Sequence, residues 1–349
     1  MFHWEYRDSG GALTDLIPLF RHTLQLCNLR SGEQVMIYAD HHTPEHYAKA
    51  ALAAAQAEGA NVFQLEVPTE GGDIDSGPVW DIWHAVDLVV DLESIGTSIY
   101  RPMRVSALAA GVRVLRVTQP EDVLFRLKPL PELRDRVQRC EAMLAAAQEL
   151  RATSPAGTDL VLNTAGRQAF GLWGAADQPG KWDHWSVAVV VGGANRPNSN
   201  GRLVIDVGDI ILGMRRYATT RIELTIEEGI ITRIEGDGLD AHLLRNWFAS
   251  WGDERAYHLS HVGWGCDERA DWGRMAGPTG GIGDAESYPG VFQIAFGRDT
   301  SWYIGDGSND VAAHIDFNGL AHGIALDGVP ITENGRFVHP DLAHITVTP

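Results

Sequence analysis

Val35-Met36-Ile37-Tyr38-Ala39-Asp40 is a continuous apolar run closed by an acid and entered through the turn signal Ser31-Gly32-Glu33. It is too short for a helix with one buried face, and it has the length and continuity of a strand covered on both sides. Upstream, Leu13, Leu16, Ile17, Phe20 and Leu24 recur at helical spacing and predict an amphipathic helix from Leu13 to Asn28. Downstream, Thr43-Pro44-Glu45 predicts a helix start with Thr43 as N-cap, and the alanine-rich run Tyr47 to Ala57 stops at Glu58-Gly59. Val62 to Val67 is the next strand. Asp87 to Leu92 and Val112 to Val117 repeat the pattern around a helix from Met103 to Ala110 that ends at Gly111.

Strands alternating with helices at this pitch predict a parallel sheet with covering helices. No GxGxxG or GxxxxGK[ST] follows any of these strands, which excludes a nucleotide-binding reading through a phosphate loop. A helix from Leu133 to Leu150 is expected to close this half. From Thr153 glycines, tryptophans and short strands replace the alternation. Gly201 to Leu212 reads as two strands or one bent strand. Arg221 to Glu227 and Ile230 to Ile234 form a hairpin about Glu228-Gly229, and Leu239, Leu243, Trp247 and Phe248 mark a further helix. Asp327-Gly328 and Asn334-Gly335 are hairpin turns. The expectation is an α/β protein with a parallel-sheet domain over 1–150 and a β-rich α+β, metal-binding domain over 151–349.

A chain of 349 residues suits two domains, and 44% apolar with 21% charged residues suits a packed core. The formal net charge of -18 argues against nucleic acid or an anionic membrane as partner, since both recruit clustered Lys and Arg. Cys27, Cys140 and Cys266 show no CxxC spacing and are odd in number, which suits reduced thiols in a cytoplasm. The opening MFHWEYRDSGG has no apolar core, and no later run reaches the roughly 18 to 20 apolar residues of a membrane span. A soluble, cytoplasmic protein is expected.

Chemistry is concentrated near the end of the chain. In Ala313-His314-Ile315-Asp316-Phe317 the imidazole and the carboxylate are two residues apart, so a strand turns both to one face. His261, in Leu259-Ser260-His261-Val262-Gly263-Trp264-Gly265, supplies a third donor. Two histidines and one carboxylate on one face of an octahedral ion leave positions open, the arrangement of non-haem Fe(II) oxygenases, although the same donors also bind Zn(II) and Mn(II). Spacings of this kind also arise by chance among 14 histidines and 46 acids, and a hydrogen-bonded histidine beside a solvated acid is the bland alternative.

Trp182-Asp183-His184-Trp185, Gly201 through Ile210, Ser260 to Gly265 and Ala313 to Asp316 resemble, in order and spacing, the 2,5-dihydroxypyridine 5,6-dioxygenases. That family shares its fold with the M29 (aminopeptidase T) metallopeptidases. The resemblance covers most of the second half and, loosely, the first. The peptidases hold two metals through an AELGIG-like glutamate, a second glutamate and an IHIALG-like histidine. The corresponding positions here look like His261, the acid-free Ser186 to Val189 stretch and Gln293, so two-metal hydrolysis would lack its ligands.

The resemblance implies one Fe(II) on His261, His314 and Asp316, with O2 and a small aromatic substrate as partners. It also implies ring cleavage of 2,5-dihydroxypyridine to N-formylmaleamate, and a homo-oligomer. Trp185 and Trp264 would wall a flat ring, or would simply be core. Asp183 and His184 would orient substrate or a ligand, or would join the domain interface. Relatives carry an acid-base histidine where Tyr100 stands, so proton transfer would fall to Tyr100, His184 or a water, unless the substrate differs. Arg101 beside it would suit a ring carboxylate, as in 2,5-dihydroxypicolinate, or is a surface arginine. The competing readings are an M29-like metallohydrolase and a non-catalytic small-molecule binder.

Overall fold

The computed structural model describes residues 12–68, 76–94, 101–274, 283–299 and 309–347. The chain divides into two units, and the division differs from a single cut at residue 150. One unit takes the chain through Pro129 together with Gly174–Trp185; the other takes Leu130–Trp173, Ser186–Gly277 and Ile282–Pro349. The return of Gly174–Trp185 has a plain cause: Trp182–His184 pairs in parallel with Arg113–Arg116 as the last strand of the first sheet.

Among the described residues of the first unit, the parallel sheet runs in the order Asn61–Val67, Gln34–Asp40, Leu88–Asp91, Arg113–Arg116, Trp182–His184. Val35 to Asp40 are buried throughout, as the uninterrupted apolar run requires, whereas the edge strand Asn61–Val67 is largely exposed. Helices Ala12–Leu26, Glu45–Ala57 and Pro102–Ala109 lie close to their expected positions. Thr43 does not cap the second of them; its hydroxyl donates to the Leu92 carbonyl at 3.0 Å, and Pro44 stands at the N-cap. Gly111, at φ +96°, stops the third helix in a conformation that favours glycine.

The second unit begins earlier than the composition suggests. Its first helix is Pro131–Ala146, and the expected extension to Leu150 is instead a strand, Glu149–Thr153. There Leu150 and Ala152 are buried while Glu149, Arg151 and Thr153 are exposed, a period of two that ends the helical one. The helix lies against strands Ala169–Leu172 and Val189–Gly193 because glycines face it. A Cβ on Gly171 would come within 2.5 Å of Val137 Cγ1, and one on Gly192 within 2.8 Å of Leu144 Cδ2.

Two antiparallel sheets make up the rest. Among the described residues one runs Ile230–Glu235, Ile222–Glu227, Asn195–Ile205, Asp159–Asn163, Glu149–Thr153, Gly323–Leu326, Val329–Glu333, Arg336–Phe337. The other runs Arg216–Tyr217, Ile210–Ile211, His314–Gly319, Phe292–Gly297, Leu259–Gly265, Val189–Gly193, Ala169–Leu172. Leu203 and Ile205 of the first and Phe292, Ile294 and Phe317 of the second surround a common interior. The turns at Glu228-Gly229, Asp327-Gly328 and Asn334-Gly335 have positive φ at both residues, the geometry that matches strand twist in a two-residue hairpin. No described helix is long and apolar enough to cross a membrane.

Candidate metal centre

His314 and Asp316 lie on strand His314–Gly319, paired through Gly297 and Ala295 with Phe292–Gly297. His261 lies on the next strand, where a register shift between Leu259 and Val262 inserts a bulge at the position of the ligand. Such bulges re-aim a side chain, and here the imidazole reaches the same face as His314 and Asp316. One donor atom from each of the three lies within 4.8 Å of the others. The Asp316 carboxylate stands between the imidazoles, Oδ1 3.1 Å from His261 Nε2 and Oδ2 3.3 Å from His314 Nε2. The rings stack at 5.4 Å.

Two further contacts fit these side chains for a metal. His314 Nδ1 meets the Arg298 carbonyl at 3.1 Å, so that nitrogen is the donor and Nε2 keeps its lone pair toward the cluster. Burial alone would raise the carboxyl of Asp316, but the charges and hydrogen bonds of both histidines outweigh it and hold the group well below the usual carboxylate range. Burial would lower His314; Asp316 outweighs it and raises the imidazole. Three converging donors with a stabilised carboxylate form a candidate site for a divalent cation.

The neighbours on this face are small. By register Gly263, Ala295 and Gly297 are neighbours of the donors on this face. Gly297 is also required by its backbone: φ is +101° and a Cβ would lie 2.2 Å from the Ala313 carbonyl oxygen, opposite His314. Gly297→Ala is therefore expected to cost about 1–3 kcal/mol through left-handed strain, and to weaken metal retention by shifting the His314 strand. Urea denaturation and metal content of the purified variant check both effects.

The other expected site residues belong to the first unit, Trp264 excepted. Trp264 stands three residues beyond His261, pairs with Phe292 and Val190, and so occupies the opposite face of the sheet, fully buried. Of the two expectations for it, ring wall or core, the strand's alternation supports core. Trp185 is fully buried too, edge-on to Phe20 at 5.0 Å with its indole N–H on the Leu124 carbonyl. It offers no free face to a ring.

Asp183 accepts the N–H groups of Gly174 and His184 and pairs with Lys181 at 3.2 Å, so its carboxylate is spent on holding its own turn. His184 is within 3.2 Å of the Thr118 hydroxyl, and burial, aided by the Arg116 charge, pushes its imidazole well below the usual range. Such a ring is a weak base at neutral pH and suits hydrogen bonding better than proton abstraction. Arg101 pairs with Glu93 at 3.2 Å. Tyr100 lies outside the described residues.

Sequence reasoning missed Glu286, a buried acid on the short helix Gly283–Ser287, whose carboxyl is pushed well above its usual range by burial and then by the charge of Asp316. No local periodicity marks it. Gln293 donates its amide to the Glu286 carbonyl at 2.6 Å.

A family described as NicX, 2,5-dihydroxypyridine 5,6-dioxygenase, matches residues 15–339. A 2,5-dihydroxypyridine 5,6-dioxygenase of Pseudomonas putida KT2440 is 32% identical over 345 residues, 93% of this chain and 97% of that one. The solved 2,5-dihydroxypyridine dioxygenase of Pseudomonas putida KT2440 superposes with a TM-score of 0.87 at 30% identity, covering 95% of this chain and 99% of that one. Wild-type AmpT from Thermus thermophilus superposes with a TM-score of 0.64 at 16% identity over 93% of this chain and 99% of that one, a likeness of fold alone.

Proposed function

The chain belongs to the 2,5-dihydroxypyridine 5,6-dioxygenase family, and from that premise we propose that this ring-cleaving dioxygenase acts on 2,5-dihydroxypyridine with Fe(II) held by His261, His314 and Asp316. The observation that carries the reading is the convergence of those three donors on one sheet face in a chain of this descent. Both atoms of O2 enter the cleaved ring, so substrate and oxygen together balance an N-formylmaleamate product and no separate reductant is needed. Fe(II), when bound, supplies the electronic link between ring and oxygen.

The chain's own residues do the rest. His261, His314 and Asp316 present one negative charge to a dication, which leaves a net positive site suited to a singly deprotonated ring hydroxyl. The Arg298 carbonyl fixes the tautomer and angle of His314.

Anaerobic reconstitution with Fe(II), followed by oxygen-electrode traces on adding 2,5-dihydroxypyridine and then 2,5-dihydroxypicolinate, tests the proposal. Uptake of about one O2 per ring consumed, with loss of ring absorbance, is expected for the first compound, and none for protein loaded with Zn(II). Absence of uptake with either compound despite bound iron overturns it.

A further inference from the structure

Helix Gly283–Ser287 is fastened to the donor-bearing face of its sheet at several points. Gln293 Nε2 donates to the Glu286 carbonyl, and Asn318 Nδ2 donates to the Ala285 carbonyl at 2.9 Å. The Ser287 carbonyl accepts the Asp267 N–H, while the Ser287 hydroxyl accepts the Ala188 N–H and donates within its own turn to Gly283. Gln293 and Asn318 are paired with each other, one rung from the Ala295 and Asp316 pair on the same face. Two residues of strand are about 7 Å, a separation that a glutamate side chain and a small ring can bridge.

The side chain held there is unusual. The buried acids Asp209, Asp240, Asp267, Asp284 and Asp299 of this unit each accept a hydrogen bond or an ion pair. Glu286, only 8% exposed, has no such contact from its carboxyl to any described residue. A buried carboxyl without a partner costs stability, and the cost is ordinary where a ligand completes it. Glu286 is outside the group of donors close enough to share one ion, so its missing partner is not the metal of the triad.

We propose that Glu286 is the substrate-orienting residue of this site: a carboxyl oxygen accepts the ring N–H of a dihydroxypyridine in its lactam form. The inference rests on the ring-cleavage reading above. The carboxyl has an acceptor oxygen in either protonation state, so the contact needs no particular charge on Glu286. It also sets specificity, since a dihydroxybenzene of the same shape has no N–H to offer and leaves the buried oxygen unpaired.

The test uses the Fe(II)-loaded protein without oxygen, in which binding is read by calorimetry and no turnover occurs. Glu286→Leu is expected to weaken 2,5-dihydroxypyridine binding tenfold or more. It should leave hydroquinone binding and iron content unchanged, and should raise Tm by removing an unpartnered buried polar group. Glu286→Gln, which keeps an acceptor oxygen, should retain most of the pyridine affinity. Equal pyridine affinity in wild type and Glu286→Leu overturns the inference while the ring-cleavage reading stands. Lost iron would make Glu286 a ligand, and a lowered Tm would make it structural; either result also overturns it. Failure of the wild type itself to bind the pyridine removes both the inference and the reading on which it rests.

Discussion

Replacing His314 by alanine is expected to empty the metal centre, with iron falling from about one per chain to near zero on desalting and ring cleavage falling by more than about 100-fold. The bound is set by outer residues that merely orient ligands, which typically cost 10- to 100-fold when lost, so a ligand costs more. The geometry shows why the loss is not repaired. Asp316 lies between two imidazoles, and without His314 it keeps only His261 at 3.1 Å. Two donors do not define one face of an octahedron. Metal analysis beside oxygen uptake measures the effect, with His184→Ala as comparison: its ring touches Thr118, so iron content is expected to stay at the wild-type level. Equal iron in wild type and His314→Ala would sink the three-residue centre.

The largest expected effect on stability belongs to the first unit. Asp91 is fully buried, and its Oδ2 accepts from Arg104 at 2.9 Å and Arg116 at 3.0 Å, both themselves almost wholly buried. Glu93 shares the cluster, and burial followed by the charge of Asp91 raises its carboxyl. Asp91→Ala leaves two buried guanidinium groups to one reluctant acid, while Nε and Nη1 of Arg104 already lack partners. Breaking a buried ion pair from one side costs about 3–5 kcal/mol, and that is the expected loss in urea denaturation. The exposed pair Arg151 and Asp159 provides the control: Asp159→Ala is expected to cost about 1 kcal/mol or less, because water screens such pairs. Similar losses at the two sites would show that the buried cluster does not support the parallel sheet.

These effects differ in how far the chain announces them. His314 and Asp316 were legible because a strand's period of two fixes their common face whatever the partner strands are. The same rule, applied three residues on from His261, turns Trp264 away from the metal. Buried arginines inside the strand Arg113–Arg116 and the acid Glu286 carry no periodic mark, since each is explained only by groups distant in sequence.

By itself the sequence determined the local elements: the buried strands from their continuous apolar runs, the hairpins from Glu228-Gly229, Asp327-Gly328 and Asn334-Gly335, and the common face of His314 and Asp316 from their spacing. Tertiary structure alone decided that Trp182–His184 returns to the first sheet, that a bulge aims His261, that Trp185 and Trp264 are core, and that the Glu286 carboxyl, without a partner among the described residues, feels the charge of Asp316. The reason is one of range. Backbone periodicity acts over a few residues and is written in their order, whereas register, burial and the charge felt by a side chain come from strands brought together across the whole chain.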